Sequence, residues 1–212
     1  MIDLLLKSLE ETVCMVVVST IIAVLGGLPL AVYLALTSHK GLKANQFAYG
    51  IAGFLVNATR SIPYIILMVL MMPVTRLLVG TTIGVWAATV PLAIAGILLL
   101  ARLVEDALRQ TNYGLIEVGL ASGATTSQIV KTIMMPEALP MIISSITTVI
   151  VNLIGFSAMA GAVGGGGLGD LAIRYGYQRY ELELLCYIVA ILVMMVQFVQ
   201  ITGNALVKKF MK

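Results

Sequence analysis

The sequence contains few charged residues for its length. Asp, Glu, Lys and Arg make up 11% of the 212 residues and hydrophobic residues make up 60%, whereas ordinary globular domains have about 25% and about 45–50%. Soluble folds are excluded, because so few polar side chains cannot cover the surface of a soluble domain. The net charge of +3 is too small to indicate binding to nucleic acid. The composition therefore predicts an integral membrane protein in contact with membrane lipids.

Residues that carry enzymatic chemistry are also scarce. The chain has two cysteines, Cys14 and Cys186, and one histidine, His39. Both cysteines lie inside apolar runs without the spacing of a metal or redox motif, so we interpret them as packing residues. Acidic residues, histidine and cysteine do not converge in or near the apolar runs, which disfavours a membrane enzyme. We expect no catalytic residue, no metal and no cofactor.

Runs without charge predict the membrane-spanning helices, because a helix needs about 20 apolar residues to cross the hydrocarbon core. Four runs are long enough outright. A fifth, Ser61–Thr75, is shorter, but Arg60 and Arg76 flank it and can extend to the two interfaces. Residues 44–59 are expected to lie partly along the interface. We predict an all-α membrane protein with one transmembrane domain over residues 1–212. Its five spans lie at about 12–38, 58–79, 80–102, 138–160 and 184–207, with a loop at about 103–137.

The positions of Lys and Arg predict the orientation, since cytoplasmic loops carry an excess of both. An outer N-terminus and a cytoplasmic C-terminus place nine of the 13 cations inside. The nine are Lys40, Lys43, Arg60, Arg102, Arg109, Lys131, Lys208, Lys209 and Lys212. The four outside are Lys7, Arg76, Arg174 and Arg179. The loop between the third and fourth spans is then cytoplasmic.

This cytoplasmic loop is predicted to form two short helices joined at a glycine. Gly123 can adopt a positive φ without penalty and so reverse the chain. Thr125 and Gln128 have the spacing of a capping box for the second helix. Such a rigid elbow suits insertion into a groove on a partner; the alternative is an amphipathic helix on the membrane surface. The expected apolar contact residues are Leu120, Ala121 and Ile129.

The same loop resembles the EAA loop of ABC importer permeases, which reads Glu-Ala-Ala, three residues, Gly, nine residues and Ile-x-Leu-Pro. The positions in register are Glu117, Gly123, Ile133 and Pro136. The match is partial, because Val118, Gly119 and Met135 depart from the pattern. The resemblance implies a type I ABC importer permease whose loop couples to an ATPase. The coupling residues that it implies are Glu117, Leu120, Ala121, Gly123, Ala124, Ile133 and Pro136.

Two further stretches resemble the permease of methionine-uptake ABC transporters. One extends from Phe156 through the glycine run, Gly164–Gly169, to Gln178, and the other extends from Arg60 to Gly84. The resemblance implies a homodimer, two cytoplasmic ABC ATPase subunits and an extracytoplasmic methionine-binding lipoprotein. It also implies transport of D- and L-methionine across the inner membrane by a subunit without catalytic activity of its own.

The glycine run has the spacing GxGxxG but follows a membrane helix, which excludes a dinucleotide-binding loop. We interpret it as a tight re-entry where helices approach the translocation axis. Met159 precedes the run and is expected to line the pathway with its neighbours Phe156 and Ser157, because a flexible thioether can seal a constriction. The competing interpretation places Met159 against lipid or another helix.

The interiors of the predicted spans contain no Asp, Glu, Lys or Arg, which argues against an ion-coupled carrier. Gln197, Gln200 and Asn204 share one face of the last helix and are interpreted as helix–helix hydrogen-bonding groups. Two alternatives stay open. One is an importer permease for another amino acid, and the other is a self-contained channel or membrane scaffold.

Overall fold

The computed structural model describes residues 2–39 and 41–211, and these residues form helices without any strand. Lys40 and Lys212, which the orientation prediction counted as inner cations, lie outside the described residues. The first five helices are α1 (Ile2–Thr37), α2 (Gln46–Ser61), α3 (Tyr64–Leu70), α4 (Met72–Val79) and α5 (Val85–Arg109). The other five are α6 (Tyr113–Ala121), α7 (Thr126–Ile129), α8 (Met135–Gly161), α9 (Gly167–Leu171) and α10 (Leu182–Phe210).

Four helical segments of the described chain are long and apolar enough to cross a membrane. They are α1, α5, the continuous segment Thr126–Gly161 that contains α8, and α10. A fifth crossing results if α2 and α3, which meet at an angle of 110°, are counted as one bent span. The prediction of an all-α membrane protein with about five spans is confirmed.

The core lies where α5 packs between α1 and α8. Leu92 and Leu100 of α5 and Leu153 of α8 are fully buried there. Small residues bring the helices together: a Cβ added to Gly96 of α5 would lie 2.9 Å from the Cβ of Ala23 on α1. Close packing of this kind supplies the van der Waals contact that drives helix association in lipid.

The predicted second span, 58–79, does not form one helix and is corrected. The range contains the last turn of α2, a break, and the short helices α3 and α4. The break falls at Pro63, because the residue before a proline is pushed out of the helical conformation; Ile62 accordingly has φ −82° and ψ 125°. The segment at 44–59, expected to lie partly along the interface, is mostly helix α2, which packs against α1 and α5.

One charged residue of the described chain, Glu105, is fully buried in the helical bundle, although it lies beyond the predicted third span. Glu105 is fully buried near the end of α5, a helix that continues to Arg109 and not to 102 as predicted. Arg60, in the last turn of α2, is exposed and lines an open cavity together with Leu98 of α5. The burial of Glu105 is explained by its partners: its carboxylate accepts hydrogen bonds from Arg102 at 2.7 Å and from Tyr49 at 3.0 Å.

The polar face of α10 does not bond to a neighbouring helix within the described chain. Gln197, Gln200 and Asn204 are all exposed. The contact between α10 and α8 lies instead at Gly203, which is buried against Thr147. The predicted helix–helix hydrogen bonding is therefore wrong for residues 2–39 and 41–211.

Candidate coupling elbow and open helix face

The elbow, defined here as residues 112–136, reverses the chain between α5 and α8. Helix α6 ends in a turn where Gly123 has φ 77°, as predicted. The N–H of Gly123 donates to the Leu120 carbonyl at 3.0 Å, and that of Ala124 donates to the Gly119 carbonyl at 3.1 Å. These two bonds form a Schellman motif, which needs a left-handed residue at this position and therefore favours glycine.

The second half of the elbow begins with the predicted capping box, which is confirmed. The backbone N–H of Thr125 donates to Gln128 Oε1 at 2.8 Å, and the N–H of Gln128 donates back to Thr125 Oγ1 at 3.4 Å. After α7 the chain passes through a π-helical turn, Val130–Met134, directly into α8. The elbow is therefore held rigidly to a long helix of the bundle.

The inner face of α6 packs on the second half of the elbow. Ile116 and Gly119 are buried, and a Cβ added to Gly119 would lie 2.8 Å from Cδ1 of Ile133. The backbone N–H of Asn112 also donates to Glu137 Oε1 at 3.3 Å, which joins the start of the elbow to α8. These contacts fix the orientation of α6 relative to the bundle.

The outer face of α6 is apolar and exposed. Val118 is 65% exposed, and large apolar side chains before and after it on the same helix are also exposed. An exposed apolar patch with no cover from its own chain marks an interaction site. The exposed apolar residues of α6 are Tyr113, Leu115, Val118 and Leu120.

The residues predicted to couple to an ATPase are distributed over both faces of the elbow. Ala124 and Ile133 are half-buried and pack on the core. Ile129, expected to be an apolar contact for a partner, is fully buried, and that expectation is corrected: its side chain supports α6 from inside. The exposed members of the predicted set are Glu117, Leu120, Ala121, Gly123 and Pro136.

The glycine run lies at the opposite end of the bundle and packs closely on α1, while its approach to a translocation axis stays a prediction. Gly164, Gly166 and Gly167 all have positive φ. The N–H of Gly167 donates to the carboxylate of Glu11 at 2.8 Å, and the N–H of Leu168 donates to Thr12 Oγ1 at 2.9 Å. Helix α9 thereby folds back against both α8 and α1.

One face of α8 is open along most of its length. Its exposed residues recur every three, four or seven positions and are small, polar or flexible: Met141, Ser144, Thr148, Gly155 and Met159. The helical spacing of these residues is visible in the sequence, but only Met159 among them is in the predicted pathway set. Ser144 and Thr148 give this open face polar groups, which a pathway for a polar substrate needs.

The three residues predicted to line the pathway do not share this face. Met159 is on the open face and 49% exposed. Phe156 is half-buried and stacks on Tyr64 with ring centroids 4.6 Å apart. Ser157 is buried, and its hydroxyl donates to the Ile154 carbonyl at 2.7 Å. The structure therefore gives Ser157 no open surface, and a pathway role for any of the three stays a prediction.

A helical bundle with a bent helix pair, a rigid elbow leading into the third long helix and an open face on that helix has the architecture of a type I importer permease. A family model described as "Binding-protein-dependent transport system inner membrane component" matches residues 27–210, and the chain belongs to this family. It is therefore a multi-pass protein of the inner membrane.

Individual relatives extend the likeness over the whole chain. The probable D-methionine transport system permease protein MetI of Vibrio cholerae is 45% identical over 207 residues, which cover 98% of this chain and 92% of the relative. The corresponding protein of Pasteurella multocida is 42% identical over 94% of this chain and 92% of its own length. An inward-facing structure of the MetNI methionine ABC transporter matches with a TM-score of 0.98 and 41% identity, covering 100% of this chain and 98% of the other.

Proposed function

We propose that this chain is the membrane-spanning permease subunit of an ATP-driven importer of D- and L-methionine. The names of the Vibrio cholerae and Pasteurella multocida relatives support the substrate, and the apolar outer face of α6 supports docking to another subunit. Two copies of the chain form the pathway, two cytoplasmic ABC ATPases provide the energy, and an extracytoplasmic binding lipoprotein delivers the substrate.

The elbow carries the coupling in this proposal. Tyr113, Leu115, Val118 and Leu120 present an apolar surface that fits a groove on an ATPase. Because α6 packs on the π-helical turn at Ile133 and Asn112 bonds to Glu137 of α8, a displacement of the docked elbow moves α8 as well. The exposed Glu117 and Pro136 lie within the same elbow and contribute to docking. The permease itself contributes shape and no catalytic group.

The pathway lies between the open faces of α8 in the two copies. Met159, the one of the three predicted pathway residues that is on this face, marks its end near the glycine run and closes it. Alternating access follows if ATP binding draws the two elbows together and repacks the helices from one orientation to the other. In this arrangement the N-terminus is extracytoplasmic and the C-terminus cytoplasmic. Arg60 is then no longer counted as an inner cation. The other eight Lys and Arg residues on the inner side still outnumber the four on the outer side, which favours this orientation.

Transport in proteoliposomes tests the proposal. The chain is reconstituted with its ATPase and binding protein, ATP is enclosed, and uptake of radiolabelled D- and L-methionine is measured. We expect uptake only when all three proteins and ATP are present. Uptake without ATPase would favour a self-contained channel, and ATP-dependent uptake of other amino acids but not methionine would favour a permease of different specificity.

A further inference from the structure

An open cavity of about 200 Å³ lies between the bend at α2–α3 and the two core helices α5 and α8. It is distinct from the outer face of α6 and adjoins the open face of α8. Its lining contains polar and charged side chains as well as apolar ones. The lining residues used below are Arg60, Tyr64, Leu98, Leu99, Asn152 and Phe156.

Arg60 is a cation far from either end of the long helices beside it. It lines the cavity together with Leu98, which is near the middle of α5, and it forms no salt bridge with any carboxylate among residues 2–39 and 41–211. A basic side chain at this depth is costly unless it meets an anion or water. Arg60 is exposed at an open cavity, so an anion that enters the cavity can pair with it.

Tyr64 has an unpaired hydroxyl at the same cavity. The side chain is 7% exposed, and its hydroxyl has no hydrogen-bond partner in the described chain. Its ring stacks on Phe156 with an angle of 6° between the planes. A phenylalanine would stack equally well without leaving a buried polar atom unsatisfied, which is unfavourable. The hydroxyl is therefore suited to a polar group that enters the cavity.

Asn152 of α8 provides a hydrogen-bond acceptor at the same cavity. Its Nδ2 donates to the Thr148 carbonyl at 2.8 Å. This bond orients the amide and leaves Oδ1 without a donor from residues 2–39 and 41–211. Asn152 is one turn from Thr148 and adjoins Gly155 on the open face of α8, so the cavity is next to the surface proposed as the pathway.

We propose that this cavity binds a free amino acid with an unbranched apolar side chain as the amino acid crosses the membrane. The Arg60 guanidinium pairs with the carboxylate, and Asn152 Oδ1 and the Tyr64 hydroxyl bond the ammonium group. The apolar side chain packs on Leu98, Leu99 and the Tyr64–Phe156 ring pair, where a thioether also makes favourable contact with an aromatic edge. This inference rests on the proposed import of methionine.

Protection of a cysteine in the cavity from labelling tests the site directly. In the complete reconstituted complex, with Cys14 and Cys186 replaced by alanine, Leu98→Cys is labelled with a maleimide. We expect methionine to slow the labelling, and methioninol, which lacks the carboxylate, to have little effect. Arg60→Gln should raise the methionine concentration for half-protection at least about tenfold, because it removes a hydrogen bond to a charged group. Arg60→Lys should retain part of the affinity, and Tyr64→Phe should weaken it several-fold.

Matched variants separate the site from indirect effects. Arg76→Gln removes a cation from α4, outside the cavity, and should leave half-protection unchanged. Val74→Cys on α4 should be labelled at the same rate with and without methionine. Ala95→Cys, which also lines the cavity, replaces Leu98→Cys if that variant does not assemble.

The outcomes distinguish this inference from the proposed function. If the wild-type complex takes up no methionine, the proposed function fails, and the inference fails with it. If uptake is normal but methionine protects neither cavity cysteine, only the inference fails. Equal protection of Val74→Cys, or unchanged half-protection in Arg60→Gln, would also overturn the inference, because both indicate a global change and not an occupied cavity.

Discussion

The Tyr49 hydroxyl on α2 donates a hydrogen bond of 3.0 Å to Glu105, a fully buried carboxylate on α5. Arg102 and Arg109 lie 2.7 Å and 3.5 Å from the same carboxylate on its own helix. This buried network joins the start of the bent pair to the end of α5, just before the elbow. A buried carboxylate is tolerated there because Tyr49 and Arg102 donate hydrogen bonds to it and Arg109 lies close enough for an ion pair.

Removal of the Tyr49 hydroxyl should destabilise the chain. Tyr49→Phe leaves Glu105 with one donor fewer, and a hydrogen bond to a charged group contributes about 1.5–3 kcal/mol. The expected result is a lower thermal unfolding temperature of the purified protein in detergent. Tyr33→Phe, at an exposed tyrosine of α1, is the control and should have no effect. Equal stability of both variants would show that the network contributes little.

The turn at Gly123 should tolerate asparagine but not valine. Gly123 has φ 77°, a conformation that asparagine adopts with modest strain and that costs a β-branched residue about 1–3 kcal/mol. Gly123→Val should therefore displace α6 and lower methionine uptake sharply, with the chain still present in the membrane. Gly123→Asn should retain most uptake. Loss of uptake in both variants to the same extent would contradict the requirement for a left-handed residue.

A charge on the outer face of α6 should separate the chain from its ATPase. Val118→Glu places a carboxylate in a surface that we propose is buried on docking, and an unpaired buried charge is strongly unfavourable. The ATPase should no longer copurify with the chain. Ser127→Glu is the matched control on the same elbow: the residue is exposed near the N-terminus of α7, where a negative charge is favourable. Retained copurification in Val118→Glu would place the docking surface elsewhere.

The open face of α8 should meet its counterpart in a second copy. Single cysteines at Thr148 or Met159, after replacement of Cys14 and Cys186, should form disulfide-linked dimers in the membrane. A cysteine at Leu25, which is 71% exposed on α1, should crosslink much less.

The thioether of Met159 should close the pathway. Met159→Ala is therefore expected to raise the passive leak of methionine or the basal rate of ATP hydrolysis. Unchanged transport and hydrolysis would assign Met159 to ordinary packing.

The orientation should follow the distribution of cations. Cysteines introduced at Lys7 and Lys209 in a cysteine-free chain are labelled with a membrane-impermeant reagent on intact spheroplasts. We expect labelling at position 7 and none at position 209 until the membrane is permeabilised. The reverse pattern would show that the N-terminus is cytoplasmic, and it would place the elbow on the outer side.

The elbow was more predictable than the bent helix pair for a physical reason. Its geometry depends on local rules: a glycine at positive φ between Leu120 and Ala124, and a capping box from Thr125 to Gln128. Both features arise from hydrogen bonds between residues close in sequence. The path of residues 46–79 depends instead on contacts with α1 and α5, which the order of residues does not reveal.

The sequence by itself determined the membrane class, the four long helices, the elbow and the tight re-entry at the glycine run, because hydropathy and backbone preferences act over short stretches of chain. Tertiary structure alone decided which polar residues share a site. It buried Glu105 against Tyr49, and it placed Asn152 of α8 at one cavity with Arg60 and Tyr64 of the distant bent helix pair. Such groups meet only when helices pack, since packing and not spacing along the chain sets the distances between them.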